Sequence, residues 1–168
     1  MNLFSNARLG INPFWSAGIL LVVLQALPVL ADDEREIGWR EVFVTIDTTF
    51  EGIEGHENHA LGLMRQRGFA FYEDGDVAKV NAWVTFERVD SETSYRGYAV
   101  YRFSDGATKV GRFTGSGDPG GTQSGEFTFE AGTDHYQGIT GQGTFTGQGF
   151  PPHGDIYLDV SGTYAVPE

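Results

Sequence analysis

The chain of 168 residues contains no cysteine, which excludes disulfide cross-links, thiol catalysis and thiolate metal sites. It has no Asn-x-Ser/Thr glycosylation acceptor and no His-Glu-x-x-His pair. No Gly-x-Ser-x-Gly elbow is present to activate a serine. Long amphipathic helical patterns are also missing, and basic residues are few. Eleven Lys and Arg face 23 Asp and Glu, for a formal net charge of −12. Such a surface repels phosphate backbones, so nucleic acid is not an expected partner.

What is present falls into two unlike parts. Within residues 1–31 the only charged side chain is Arg8, and Phe14 to Ala31 is dominated by Ile19, Leu20, Leu21, Val22, Val23, Leu24 and Leu27. Val29-Leu30-Ala31 then offers modest side chains just before the charged run Asp32-Asp33-Glu34-Arg35. This is the pattern of a secretory signal removed after residue 31; a retained membrane anchor is the competing reading, against which Pro28 and the cleavage-like end both argue. The expectation is an exported protein, periplasmic or secreted, with no stable membrane insertion once the signal is gone. Residues 32–168 are then one domain, since their length suits one core and no linker divides them.

Within that domain the dominant period is two. Ala78, Val80, Ala82, Val84 and Phe86 share one face of a strand, and Tyr95, Gly97, Ala99, Tyr101 and Phe103 share another. Asp74-Gly75 and Asp105-Gly106 supply tight hairpin turns. The first strand, Trp39 to Phe50, reads with Val42, Val44, Ile46, Thr48 and Phe50 on its core face and Glu41, Thr45, Asp47 and Thr49 toward water. Glu51 to Arg67 reads as a long loop, with a helical turn near Leu61 to Arg65 and the lid-loop histidines His56 and His59 in it. Ile156, Leu158, Val160 and Tyr164 are in phase on the last strand.

Between them, Gly125 to Gly149 alternates Phe127, Phe129 and Phe145 with polar residues, and Gly132, Gly138, Gly141 and Gly143 punctuate the turn. Tyr136 is the one large side chain amid these glycines and is expected to plug the corner. The tally is eight strands joined mostly by hairpin-length turns. Eight such strands close into an antiparallel all-β barrel; a two-sheet sandwich uses the same elements.

The pattern Gly132-x-x-x-Tyr136-x-Gly138-x-x-Gly141-x-Gly143, followed by a last strand ending Gly162-Thr163-Tyr164, resembles the end of the allene oxide cyclase barrel. Dirigent proteins have a similar glycine-rich turn. The resemblance covers about Tyr95 to Tyr164 and implies an eight-stranded antiparallel β-barrel of the allene oxide cyclase-like type, with an interior cavity. It also implies assembly into dimers or trimers, and chemistry achieved by confining a flexible ligand in one reactive shape. The family's first-strand Glu-x-Asn is not visible in Val42-Phe43-Val44-Thr45-Ile46-Asp47, so neither residue is carried over.

If the apolar faces converge, Tyr95, Tyr101, Phe103, Phe127, Phe129 and Tyr164 line the interior or its rim, and Arg112 joins them if it shares the inward phase. Core tyrosines that reach a rim, and an Arg112 on the outer phase, are the bland alternatives. His56 and His59, with Glu54, Glu57, His135 or His153, are too scattered to make a metal centre, and turn geometry accounts for Asp74, Asp76, Asp105 and Asp118. No metal and no cofactor are expected. The partner expected is a small apolar, lipid-like or polyketide-like molecule bound inside the barrel. A cofactor-free cyclase or isomerase is the second reading, and a structural barrel with a filled core is the third. An interior Glu or Arg on a hydroxylated cavity favours the enzyme; a cavity too small for a ligand favours the filled core.

Overall fold

The computed structural model describes residues 34–150 and 154–168; the expected signal segment and His153 lie outside them. The described residues form eight strands: β1 (Arg35–Gly52), β2 (His59–Tyr72), β3 (Val77–Val89), β4 (Glu92–Arg102), β5 (Thr108–Gly117), β6 (Thr122–Gly132), β7 (Thr140–Phe150) and β8 (Asp155–Ala165). Each pairs antiparallel with its neighbours in sequence order, and β8 returns to β1. The result is a closed barrel, so no backbone edge is left unpaired.

The hairpins at Gly75 (φ 96°) and Gly106 (φ 98°) bear out the two Asp-Gly turns. Asp74 and Asp105 each accept a backbone N–H two residues on, from Asp76 and Ala107, at 3.0 Å. β3, β4 and β8 present the expected inward faces, with Val80, Ala82, Ala99, Tyr101 and Val160 buried. Between β6 and β7 a one-turn 3-10 helix, Asp134–Tyr136, sets the Tyr136 ring across the barrel end, 5.1 Å from Phe103. Across β7 and β8, Gly143 lies against Gly162: a Cβ there would stand 2.7 Å from Gly162 Cα and 2.6 Å from the Phe127 ring, so the missing side chains are what lets that ring turn inward.

Two strands depart from the sequence-based expectation. In β1 the phase is reversed: Trp39, Glu41 and Phe43 are 3–4% exposed, whereas Val42, Val44 and Ile46 are 42–45% exposed. Both faces of this strand are apolar, and the two large rings bury more area inward than the β-branched residues would. A bulge at Ile46, where the pairing jumps from Thr45↔Gln66 to Asp47↔Arg65, then turns Thr48 inward to the cavity wall. The second departure is that Glu51 to Arg67 is mostly strand. β2 begins at His59, there is no helical turn over Leu61–Arg65, and only residues 53–58 loop between strands. Of its inward residues Ala60, Gly62, Gly68 and Ala70 are small and Gln66 is polar, with Met64 and Tyr72 the larger ones, whereas its outward ones include Leu61, Leu63, Phe69 and Phe71, an inversion of the usual alternation. Small residues are required there because larger ones face them: the Phe86 ring of β3 covers Gly62.

Candidate functional site

The barrel interior is layered. A cavity of about 470 Å³ occupies one end, opening between the turns that join β3 to β4, β5 to β6 and β7 to β8. Its walls are Phe43, Val84, Phe86, Tyr95, Phe113, Phe145 and Leu158, with Arg88 and Asp118 at the mouth. That volume suits a small molecule and is lined as ligand pockets usually are, apolar with a few placed polar groups.

The floor is an aromatic layer centred on Trp39, whose ring lies 5.2 Å from Phe127, 5.3 Å from Tyr72, 6.0 Å from Tyr101 and 6.2 Å from Phe129. Glu41 stands in this layer and lines the cavity. Its Oε1 accepts a hydrogen bond from Trp39 Nε1 at 2.6 Å, and the Tyr101 hydroxyl is a second partner. Burial raises the carboxyl above its ordinary range by stripping solvation from the anion; the two hydrogen bonds oppose that rise without cancelling it. The Tyr101 hydroxyl is pushed well up by burial and by the neighbouring Glu41 charge. On the β2 wall, Gln66 Nε2 donates to Thr45 Oγ1 at 3.3 Å, and that hydroxyl donates to Gly154 O at 2.9 Å.

Below the floor lies a second layer around Lys109, which is 1% exposed. Its Nζ sits 4.4 Å from the ring centre of Tyr136, 4.6 Å from Tyr72, 5.0 Å from Phe103, 5.3 Å from Tyr164 and 5.5 Å from Phe129. Five π-faces partly replace the lost hydration, yet burial still lowers the ammonium to about 8, against the weaker pull of Asp74 and Asp76 on the adjacent turn.

The expected site residues therefore divide. Tyr95, Tyr101 and Phe127 line the cavity. Phe103, Phe129 and Tyr164 face inward but belong to the lysine layer. Arg112 is a correction. β5 turns Lys109, Gly111 and Phe113 inward, so Arg112 is exposed and pairs outside with Glu130 at 2.7 Å. The loop histidines are also off the cavity: His59 Nε2 contacts Glu87 Oε1 at 2.7 Å, and His56 packs edge-on to His59 at 5.9 Å between ring centres. Neither ring lines the cavity wall. Among the described residues no three His, Cys, Asp or Glu side chains converge on a common point.

Glu41 and Lys109, the two buried charges among the described residues, are not anticipated from the sequence. The clue to Glu41 was its position two residues from both Trp39 and Phe43, on the face those rings must bury. Lys109 stands likewise two residues before Gly111 and four before Phe113.

No protein family and no curated protein matches the chain. Among solved structures it is similar to the pterocarpan synthase dirigent protein GePTS1, with a TM-score of 0.50 and 13% identity, covering 82% of this chain and 94% of that one. At that identity the likeness is one of fold: the chain is a closed eight-stranded barrel of dirigent-like architecture.

Proposed function

We propose that the barrel binds a small, largely apolar molecule in its cavity and holds the molecule's one polar end against Glu41. The observation carrying this reading is a cavity of about 470 Å³, apolar along its walls, with a buried carboxyl as its polar floor group. Protonated, Glu41 donates a hydrogen bond to a ligand oxygen; ionised, it accepts one from a hydroxyl. The volume argues against a filled core.

The same carboxyl favours a second reading, cofactor-free isomerisation or ring closure. A carboxyl whose pKa burial raises, set at the floor of an apolar cavity, can pass a proton to a carbonyl, enone or epoxide oxygen while the walls fix the ligand's shape. The dirigent protein of similar fold is a pterocarpan synthase, and ring closure within a barrel fits that likeness.

Export belongs to the proposal and rests on residues 1–31 alone. The outward residues Thr114, Thr144, Thr146 and Ser161 argue against a barrel embedded in lipid, which needs an apolar band all round. Self-association, implied by the resemblance, draws support from the exposed Val42 and Val44 of β1 and Phe69 of β2.

Native mass spectrometry and solvent extraction of the purified protein test the binding reading. A stoichiometric apolar compound is expected; protein that is repeatedly empty and ignores neutral apolar dyes overturns it. With a compound in hand, Glu41→Gln separates carrier from catalyst. Loss of turnover at unchanged affinity marks catalysis, and loss of affinity alone marks carriage.

A further inference from the structure

The cavity carries a second buried polar group besides the Glu41 carboxyl. Gln66 of β2 is 5% exposed and lines the wall, with Met64 and Gly68 as its inward neighbours on the strand. Its orientation is fixed from behind. Gly154 O can only accept, so the Thr45 hydroxyl, 2.9 Å away, gives its proton there and receives one from Gln66 Nε2 at 3.3 Å. The amide therefore turns its NH2 group to the wall and its carbonyl oxygen away from it.

That oxygen has no hydrogen-bond partner among the described residues, where the Tyr72 hydroxyl is the only side-chain polar atom both sealed off and unpartnered. Gln66 Oε1 is thus open to the cavity that its side chain lines, as a free acceptor in an apolar wall. The sheet register sets its distance from Glu41. Thr45 pairs with Gln66 and stands four residues beyond Glu41 on β1, so the two polar stations are about 13 Å apart along the strand. Between them on the same wall lies Phe43, which is buried and lines the cavity. A ligand with one polar end satisfies one station and leaves the other unpaired.

We propose that the cavity selects two-headed apolar molecules, with an oxygen function held at Glu41, a hydroxyl donating to Gln66 Oε1, and an apolar body spanning the gap along Phe43. This rests on the cavity being a ligand site. Gln66 is then the specificity-determining residue, because an acceptor-only oxygen discriminates for a hydroxyl and against a methyl or a carbonyl at that end of the ligand. Thr45 is a positioning residue: it touches no ligand, and it holds the amide in the one orientation that presents the acceptor.

The test is displacement of the neutral dye N-phenyl-1-naphthylamine from the intact protein by two isomers, decane-1,10-diol and decane-1,2-diol. They contain the same atoms, but only the first carries a hydroxyl at each end, at an extended length that matches the gap. The 1,10-isomer is expected to displace the dye about tenfold better, although a one-headed apolar cavity would favour the 1,2-isomer with its uninterrupted tail. Gln66→Leu should abolish or reverse that preference, and Thr45→Val, which frees the amide to turn, should shrink it several-fold. Should Gln66→Leu not fold, Thr45→Val decides by the same ratio. Equal displacement or a 1,2-preference in wild type, or a 1,10-preference that survives these substitutions, overturns the two-headed proposal and leaves the binding reading standing. Failure to bind the dye or either diol overturns the two together.

Discussion

The indole Nε1 of Trp39 donates to Glu41 Oε1 at 2.6 Å, so the ring packed behind the cavity floor holds the floor's acid in place. These residues are two apart on one strand, which puts both on the same face by backbone geometry alone.

Because burial raises the Glu41 carboxyl, the folded protein holds that proton to higher pH than the unfolded chain does. Glu41 therefore favours folding at pH values below its ordinary range, near 4.5, and that contribution is lost as pH rises through the raised value. Glu41→Gln keeps the shape and removes the titration. Denaturant melts across pH 4 to 8 should show the variant losing less stability than wild type over that rise, and at pH 7 being equal or up to about 2 kcal/mol more stable. A wild-type profile as flat as the variant's would contradict the buried position.

Lys109 titrates with the opposite sign. Its pKa falls from 10.5 unfolded to about 8 folded, so above pH 8 the unfolded chain binds the extra proton and stability from this group rises with pH until about 10.5. Asp74 and Asp76 face it from the turn and moderate the effect; burial raises the Tyr72 and Tyr136 hydroxyls and keeps them neutral over that range, and the Tyr164 ring also faces the ammonium. Lys109→Met should be more stable than wild type by a few kcal/mol at pH 7, with the gain shrinking toward pH 10. Thermal melts at the two pH values check this.

Gly143→Ala tests the close approach of β7 and β8. The added Cβ would stand 2.6 Å from the Phe127 ring and 2.7 Å from Gly162 Cα, so both strand spacing and the floor must shift. A loss of about 3 kcal/mol or more is expected in urea unfolding.

Arg112→Ala should do very little. With its guanidinium paired to Glu130 outside the barrel and more than half exposed, the change should cost less than about 1 kcal/mol and leave ligand binding unaltered. Isothermal titration of any bound compound into wild type and variant measures both.

The closed barrel and its hairpins were legible because β3, β4 and β8 each carry one apolar and one polar face, and Asp-Gly marks the turns after Glu73 and Ser104. β1 and β2 were not. Where Val42 and Phe43 alternate, both faces are greasy and period two cannot say which is inside. Where Gly62, Gln66 and Gly68 face inward, the inner face carries too little apolar bulk to be recognised. The candidate site follows the same division: Tyr95, Tyr101 and Phe127 lie on well-patterned strands, Glu41 shares a face that reads as wet, and Arg112 lies on a strand whose inner positions are a lysine, three glycines and a single phenylalanine, Phe113.

The most direct measurement is an equilibrium titration of the protein with N-phenyl-1-naphthylamine, repeated on Ala99→Phe, whose ring would project from β4 into the cavity. One saturable site in wild type, lost in a variant that keeps its β-sheet circular dichroism, is the predicted result. Undiminished binding by Ala99→Phe would mean that the dye sits on the outer wall around Val42 and Phe69, and the cavity would not be the binding site.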